Sequence, residues 1–161
     1  MTRGPAAESN ARLSPDFQDF ARIIAEYGVD ALLVGGFAMG AYGVVRATED
    51  IDFFYRATAS NVDRLCAALG AFGAPTEVID NEALRRPDTV AMFGVPPHRI
   101  DLLSSISGVS YEEASDGAMT VVLDGVPIRV IARAALIRNK RASGRPKDLA
   151  DVAALEKLVC R

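Results

Sequence analysis

Apolar residues recur at helical spacing at Phe17, Phe20, Ile24 and Tyr27, between Ser14-Pro15-Asp16 and Gly28. A serine cap, a proline in the first turn and a closing glycine predict a helix with one buried face. The pattern then shortens. Ala31 to Val34 is a continuous apolar run that reads as a buried strand, and beyond Gly35-Gly36 the segment from Phe37 to Tyr42 reads as a short helix leading away from the glycines. Ile51 to Tyr55, carrying Phe53, Phe54 and Tyr55, predicts a second strand. Asn61 to Leu69 returns to helical spacing, with Val62, Leu65, Cys66 and Leu69 on one side.

Further along, Thr89 to Phe93 and Arg99 to Leu103 are short apolar runs separated by Gly94 and Pro96-Pro97, which suits antiparallel strands. Met119 to Leu123 and Pro127 to Ile131 flank Asp124-Gly125, a hairpin signal. Ala132 to Arg141 is alanine-rich and helical, Gly144 ends it, and a last helix begins near Pro146 with Leu149, Val152 and Val159 turned inward. These elements define an α+β domain, a mixed β-sheet flanked by helices. Residues 1–13 are small and polar and are expected to form a disordered tail, leaving residues 14–161 as a single domain.

At 161 residues the chain has enough length for one core, and its net charge of −3 predicts no global attraction to nucleic acid. Cys66 and Cys160 match no metal spacing and read as free thiols of a reducing compartment. The start, MTRGPAAESNARLS, has no apolar h-region, and the longest near-apolar run, Ala31 to Val45, is interrupted by four glycines. The expectation is a soluble, cytoplasmic protein with no membrane contact.

The chemistry concentrates around the glycine pair. Thirteen residues separate Gly36 from Asp50-Ile51-Asp52, where two carboxylates at i and i+2 share one strand face while Ile51 faces the other way. Such carboxylates repel, and a hard divalent cation relieves the repulsion. The plain alternative is a strand cap and a surface acid. Asp101, in His98-Arg99-Ile100-Asp101-Leu102-Leu103, is a single acid inside an apolar strand pattern and needs a partner. That partner is an arginine, with Arg99 at i−2 in reach, a backbone donor or a metal. If its strand lies beside that of Asp50 and Asp52, three acids form one cluster suited to phosphoryl chemistry.

This order of strand, Gly-Gly, short helix, Asp-x-Asp strand and later acid resembles the nucleotidyltransferase superfamily, the fold of polymerase-β-like enzymes, CCA-adding enzymes and small antibiotic nucleotidyltransferases. The fuller strings GGFAMGAYGVVRATEDIDFF, RIDLL and RPKDLADVAAL resemble the minimal bacterial nucleotidyltransferases related to AbiEii-type toxins of abortive-infection systems, over about residues 20–158. The resemblance implies transfer of a nucleoside monophosphate from an NTP to a hydroxyl, with release of pyrophosphate. It assigns Gly35 and Gly36 to the nucleotide phosphates, Asp50 and Asp52 to Mg²⁺ (or Mn²⁺), and Asp101 to the second metal and to deprotonation of the acceptor hydroxyl. Thr48 falls at a position often Thr or Ser in these relatives, open between substrate contact and a turn hydroxyl. Many active members carry a serine after or in place of the second glycine, where this chain has Phe37. The acceptor is open, tRNA or protein, and a partner protein is expected to complete the site. The alternative reading is a non-catalytic nucleotide-binding or toxin–antitoxin interaction module that keeps the fold.

Arg133, Arg138, Lys140, Arg141, Arg145 and Lys147 form a basic segment without an acid. It reads either as a solvated helix face or as a phosphate contact. Lys140 lies at i+4 from Leu136 and i+3 from Ile137, close to the apolar side, where a lysine reaches toward a cleft. The family has a lysine in this helix, which assigns Lys140 to the nucleotide. Lys147 and Asp151 read as an i, i+4 pair in a mainly structural string. His98 reads as a surface residue, and Arg46 and Arg56 bracket the acids, either neutralising them or meeting a triphosphate. A D-x-D glycosyltransferase gives the Gly-Gly turn no role, and a haloacid-dehalogenase-type phosphatase would need Thr where Phe54 stands.

Overall fold

The computed structural model describes residues 13–45 and 47–158; the expectations for residues 1–12, Arg46, Val159 and Cys160 lie outside the described residues. The chain runs α1 (Pro15–Glu26), β1 (Ala31–Val34), α2 (Gly35–Ala41), β2 (Asp50–Tyr55), α3 (Ala59–Phe72), α4 (Asn81–Leu84), β3 (Val90–Phe93), β4 (Arg99–Leu103), α5 (Tyr111–Ser115), β5 (Met119–Leu123), β6 (Val126–Val130), α6 (Arg133–Ser143) and α7 (Pro146–Lys157). The strands form a six-stranded sheet in the order β3-β4-β2-β1-β6-β5. The pairs β1–β2, β3–β4 and β5–β6 are antiparallel, whereas β2–β4 and β1–β6 are parallel. This is the α+β mixed sheet that the hydrophobic pattern predicts.

Local chemistry explains the main boundaries. The Ser14 hydroxyl caps α1 by accepting the Phe17 amide at 3.3 Å, with Pro15 in the first turn. The β5–β6 hairpin turns on Asp124 and Gly125, both at positive φ (49° and 79°), the backbone a two-residue type I′ turn requires. The Asp124 carboxylate also accepts the Leu13 amide at 2.7 Å. Leu13, assigned to the tail by its neighbours' composition, is thereby held in the core, where it is buried.

Alternation along β2 separates the two sides of the sheet. Ile51, Phe53 and Tyr55 point into the core, where the Phe53 ring lies 5.6 Å from that of Phe20 on α1. Phe20 in turn meets Phe72 of α3 at 5.3 Å and Phe93 of β3 at 5.7 Å, so α1 and α3 cover this face. The opposite face carries Asp50 and Asp52.

Three expectations are corrected. The second helix begins at Gly35 rather than Phe37, because Gly35, at φ +68°, turns the chain directly out of β1. Tyr27 is exposed, standing at the C-terminal cap of α1 rather than on its buried face. Leu149 is half exposed, because α7 turns Asp148, Asp151, Val152 and Leu155 inward instead. The short helices α4 and α5 escape periodicity because each is about one turn long. Their caps are legible in hindsight: Asp80 accepts the Ala83 amide, and Ser110 with Glu113 forms a reciprocal capping box.

Candidate active site

Parallel pairing of β2 with β4 sets Asp52 directly opposite Asp101, while antiparallel pairing of β1 with β2 sets Val34, and hence the glycine turn, beside Asp52. Asp50, Asp52 and Asp101 each offer a carboxylate oxygen within 4.8 Å of the others. Oxygens bound to one Mg²⁺ at about 2.1 Å lie at most about 4.2 Å apart, so small side-chain rotations suffice to converge them on an ion. The cluster carries excess negative charge. Burial, followed by the charges of Asp50 and Asp101, pushes the Asp52 carboxyl up to about 7. Relief of that excess by a divalent cation is what this donor set fits.

Arg99 supplies part of the compensation. Its Nε donates to Asp101 Oδ1 at 2.9 Å, and its Nη2 donates to Asp101 Oδ2 at 3.0 Å and to Asp50 Oδ2 at 2.7 Å. Of the partners expected for Asp101, the structure shows Arg99, while the parallel register also sets Asp50 and Asp52 beside it as the cluster requires. The bridge from Arg99 to Asp50 depends on the parallel register and leaves no trace in the sequence.

The glycine turn is held close to the acids. A Cβ on Gly35 would meet Asp52 Oδ2 at 2.2 Å, and one on Gly36 would meet Thr48 Cβ at 3.2 Å. Gly35 therefore needs to be glycine both for its positive φ and for its contact with the carboxylate. The Thr48 hydroxyl donates to the Asp50 carbonyl at 2.9 Å, and the residue also lines the cleft. Phe37 does not reach the cleft; its ring packs edge-on against Phe17 at 5.7 Å.

These residues line one wall of a cleft of about 850 Å³ whose other wall is α6 and α7. Lys140, only 8% exposed, projects from α6 and donates to Asp151 Oδ2 at 2.9 Å, with Asp148 Oδ1 at 3.5 Å. Arg145 also grips Asp148, at 2.7 Å. Burial works to raise the Asp148 carboxyl, but hydrogen bonds from Arg145 and Ser143 and the nearby positive charges hold it below its ordinary value. The Asp151 carboxylate is thus directed at Lys140, where an i, i+4 pair with Lys147 was expected. Arg145 and Lys147 line the same cleft. Toward β3 it is lined by Asp88, Val90, Leu103, Ser105 and Ile106, none of which carries a sequence signal.

Other basic residues are spent on structure. Arg138 pairs with Glu113, Arg141 with Glu156, and Arg133 donates to the Leu155 carbonyl. Arg56 lies at the far end of β2, paired with Glu112 at 3.0 Å and Asp30 at 3.5 Å and stacked over Tyr111. Neither of its expected roles at the acid pair applies. His98 is exposed, and Cys66 is a free thiol.

Comparison with known proteins gives the arrangement a context. The family model described as "Nucleotidyl transferase AbiEii toxin, Type IV TA system" matches residues 19–158. A search of curated proteins finds no match. Among solved structures, the antibiotic-resistance factor ANT(2'')-Ia aligns at a TM-score of 0.58 with 18% identity, covering 90% of this chain and 80% of that one. The lincosamide antibiotic adenylyltransferase LnuA aligns at 0.54 with 15% identity, over 92% and 99%. A nucleotidyltransferase-like protein from Paracoccidioides brasiliensis aligns at 0.55 with 19% identity, over 92% and 79%. At these identities the likeness is one of fold.

Proposed function

This chain belongs to the nucleotidyl transferase AbiEii toxin family, and from that membership we propose that it transfers a nucleoside monophosphate from an NTP to a hydroxyl acceptor, releasing pyrophosphate. The observation that carries the proposal is the convergence of Asp50, Asp52 and Asp101 beside the Gly35-Gly36 turn in one cleft.

Asp50, Asp52 and Asp101 would hold Mg²⁺ (or Mn²⁺), which neutralises the triphosphate, lowers the pKa of the attacking hydroxyl and steadies the leaving pyrophosphate. Gly35 and Gly36 let the turn close onto Asp52 and Thr48 at the cleft wall, so that their backbone lies beside the acids where phosphate oxygens would bind. Thr48 fixes the start of β2 through its bond to the Asp50 carbonyl, and so orients the first carboxylate. Asp101, buried between Arg99 and Asp52, takes the proton of the acceptor hydroxyl. Lys140 faces the polyphosphate from the opposite wall, its ammonium held in place by Asp148 and Asp151. Because Phe37 packs on Phe17, a serine missing from its position takes no donor from the cleft.

The acceptor is the least constrained part. ANT(2'')-Ia is described in complex with adenylyl-2''-tobramycin and LnuA with lincomycin, which adds small hydroxylated antibiotics to tRNA and protein as acceptor classes. The family's description as a toxin of a toxin–antitoxin system supports a partner protein. Among the described residues no helix is long and apolar enough to cross a membrane. A reaction that consumes NTP suits the cytoplasm, and we take residues 14–161 as one domain.

The test is to incubate the protein with α-labelled NTPs, Mg²⁺ and separate pools of tRNA, protein, tobramycin and lincomycin. Label should enter one pool with the wild type and none with Asp50→Ala plus Asp52→Ala. Equal labelling by both proteins would refute the assignment.

A further inference from the structure

The cleft holds its own cation. Arg99 gives three hydrogen bonds to the triad, engaging both oxygens of Asp101 and one of Asp50 at 2.7–3.0 Å. Those oxygens belong to two of the three carboxylates that must converge on a metal ion. A cation coordinated directly by Asp101 meets a carboxylate whose charge is already shared with Arg99, because both Asp101 oxygens accept from the guanidinium. The arginine is also able to leave. Its side chain is 36% exposed and lines the cleft, whereas the Asp101 side chain beneath it is 9% exposed. Breaking the bridge strands a guanidinium at the cleft wall, where a polyphosphate is the natural replacement anion, since a planar fork pairs with phosphate oxygens as well as with carboxylate.

We propose that Arg99 is a positioning residue that competes with the divalent cation for Asp50 and Asp101, so that metal and nucleoside triphosphate enter the cleft together rather than separately. The inference rests on the metal-dependent reading of the site and adds a coupling to it. Bare metal binds weakly because it is brought up against the Arg99 guanidinium on carboxylates that Arg99 already compensates, with no anion to draw the guanidinium away. With triphosphate present, the displaced guanidinium is taken up by phosphate, and metal affinity rises. The same contact keeps the acids compensated in the empty protein.

The experiment is calorimetric titration of the folded protein with Mn²⁺, alone and with a triphosphate whose α–β bridge is a methylene that cannot be cleaved. Arg99→Gln should bind Mn²⁺ alone at least tenfold more tightly than the wild type. The triphosphate should tighten Mn²⁺ binding at least tenfold in the wild type and much less in the variant. A merely structural arginine would not give tighter metal binding on removal. If Arg99→Gln does not fold by circular dichroism, Arg99→Lys serves instead, since one ammonium cannot span Asp50 and both oxygens of Asp101, and about threefold tighter binding is expected. Equal or weaker Mn²⁺ binding by the folded variant, with the wild type still binding, overturns the role of Arg99 alone. No Mn²⁺ binding by any protein, with or without triphosphate, overturns both this inference and the metal-dependent reading beneath it.

Discussion

Replacing Asp52 by asparagine should make the protein more stable at pH 8 while abolishing its activity. Asp52 has two acidic neighbours, and its carboxyl is raised from 3.8 to about 7 by burial first and by Asp50 and Asp101 next. Between these values the folded protein keeps a proton that the unfolded chain has already released. Stability therefore falls as pH rises from about 4 to about 7 and is flat above that. At 1.36 kcal/mol per tenfold change, the full rise corresponds to about 4 kcal/mol. The repulsion is spread over three carboxylates, and the substituted side chain must still bury an amide, so about 2 kcal/mol of gain at pH 8 is expected from Asp52→Asn. Urea unfolding of wild type and Asp52→Asn at pH 4 and pH 8 measures it. The two should converge at pH 4 and separate at pH 8, and saturating Mn²⁺ should close the gap by stabilising only the wild type. Parallel stability curves, or a variant less stable at pH 8, would show that Asp52 is not held against repulsion.

Gly35→Ala should cost about 1–2 kcal/mol for its left-handed φ alone, and its Cβ, 2.2 Å from Asp52 Oδ2, should push that carboxylate aside and lower activity about 100-fold. Gly40→Ala in the same helix meets nothing within 4 Å and should gain about 0.5–1 kcal/mol with activity intact, read by urea unfolding and by turnover. Lys140→Met takes the ammonium from between two buried carboxylates and should destabilise by roughly 3 kcal/mol in thermal or urea unfolding. Adding Asp151→Asn to that variant should recover part of the stability but none of the activity.

Much of the sheet was legible because its strands are short apolar runs bounded by glycine or proline, and the Asp124-Gly125 turn names its own hairpin. The placement of Asp50 and Asp52 on one face followed from strand periodicity. What joined Asp101 to them was the parallel pairing of β2 with β4, a long-range register that no local pattern encodes. The same register hid Arg99's bridge to Asp50. α7 misled for a related reason. Leu149 reads as a core residue by hydrophobicity, but the helix is rotated so that Asp148 and Asp151 face Lys140, a buried ion cluster that outweighs one leucine. The two readings of the basic segment, a solvated face or a phosphate contact, could not be separated in sequence because the acidic partners of Arg138 and Arg141, Glu113 and Glu156, come from other helices.

The central claim, nucleotidyl transfer at the Asp50–Asp52–Asp101 cluster, is tested most directly by following two labels on one NTP in the presence of Mg²⁺ and the acceptor pools. The account predicts that an α-phosphate label becomes bound to the acceptor while a γ-phosphate label leaves as pyrophosphate, and that Asp101→Asn abolishes both. Transfer of the γ-label to the acceptor, release of inorganic phosphate in place of pyrophosphate, or undiminished transfer by Asp101→Asn would contradict it.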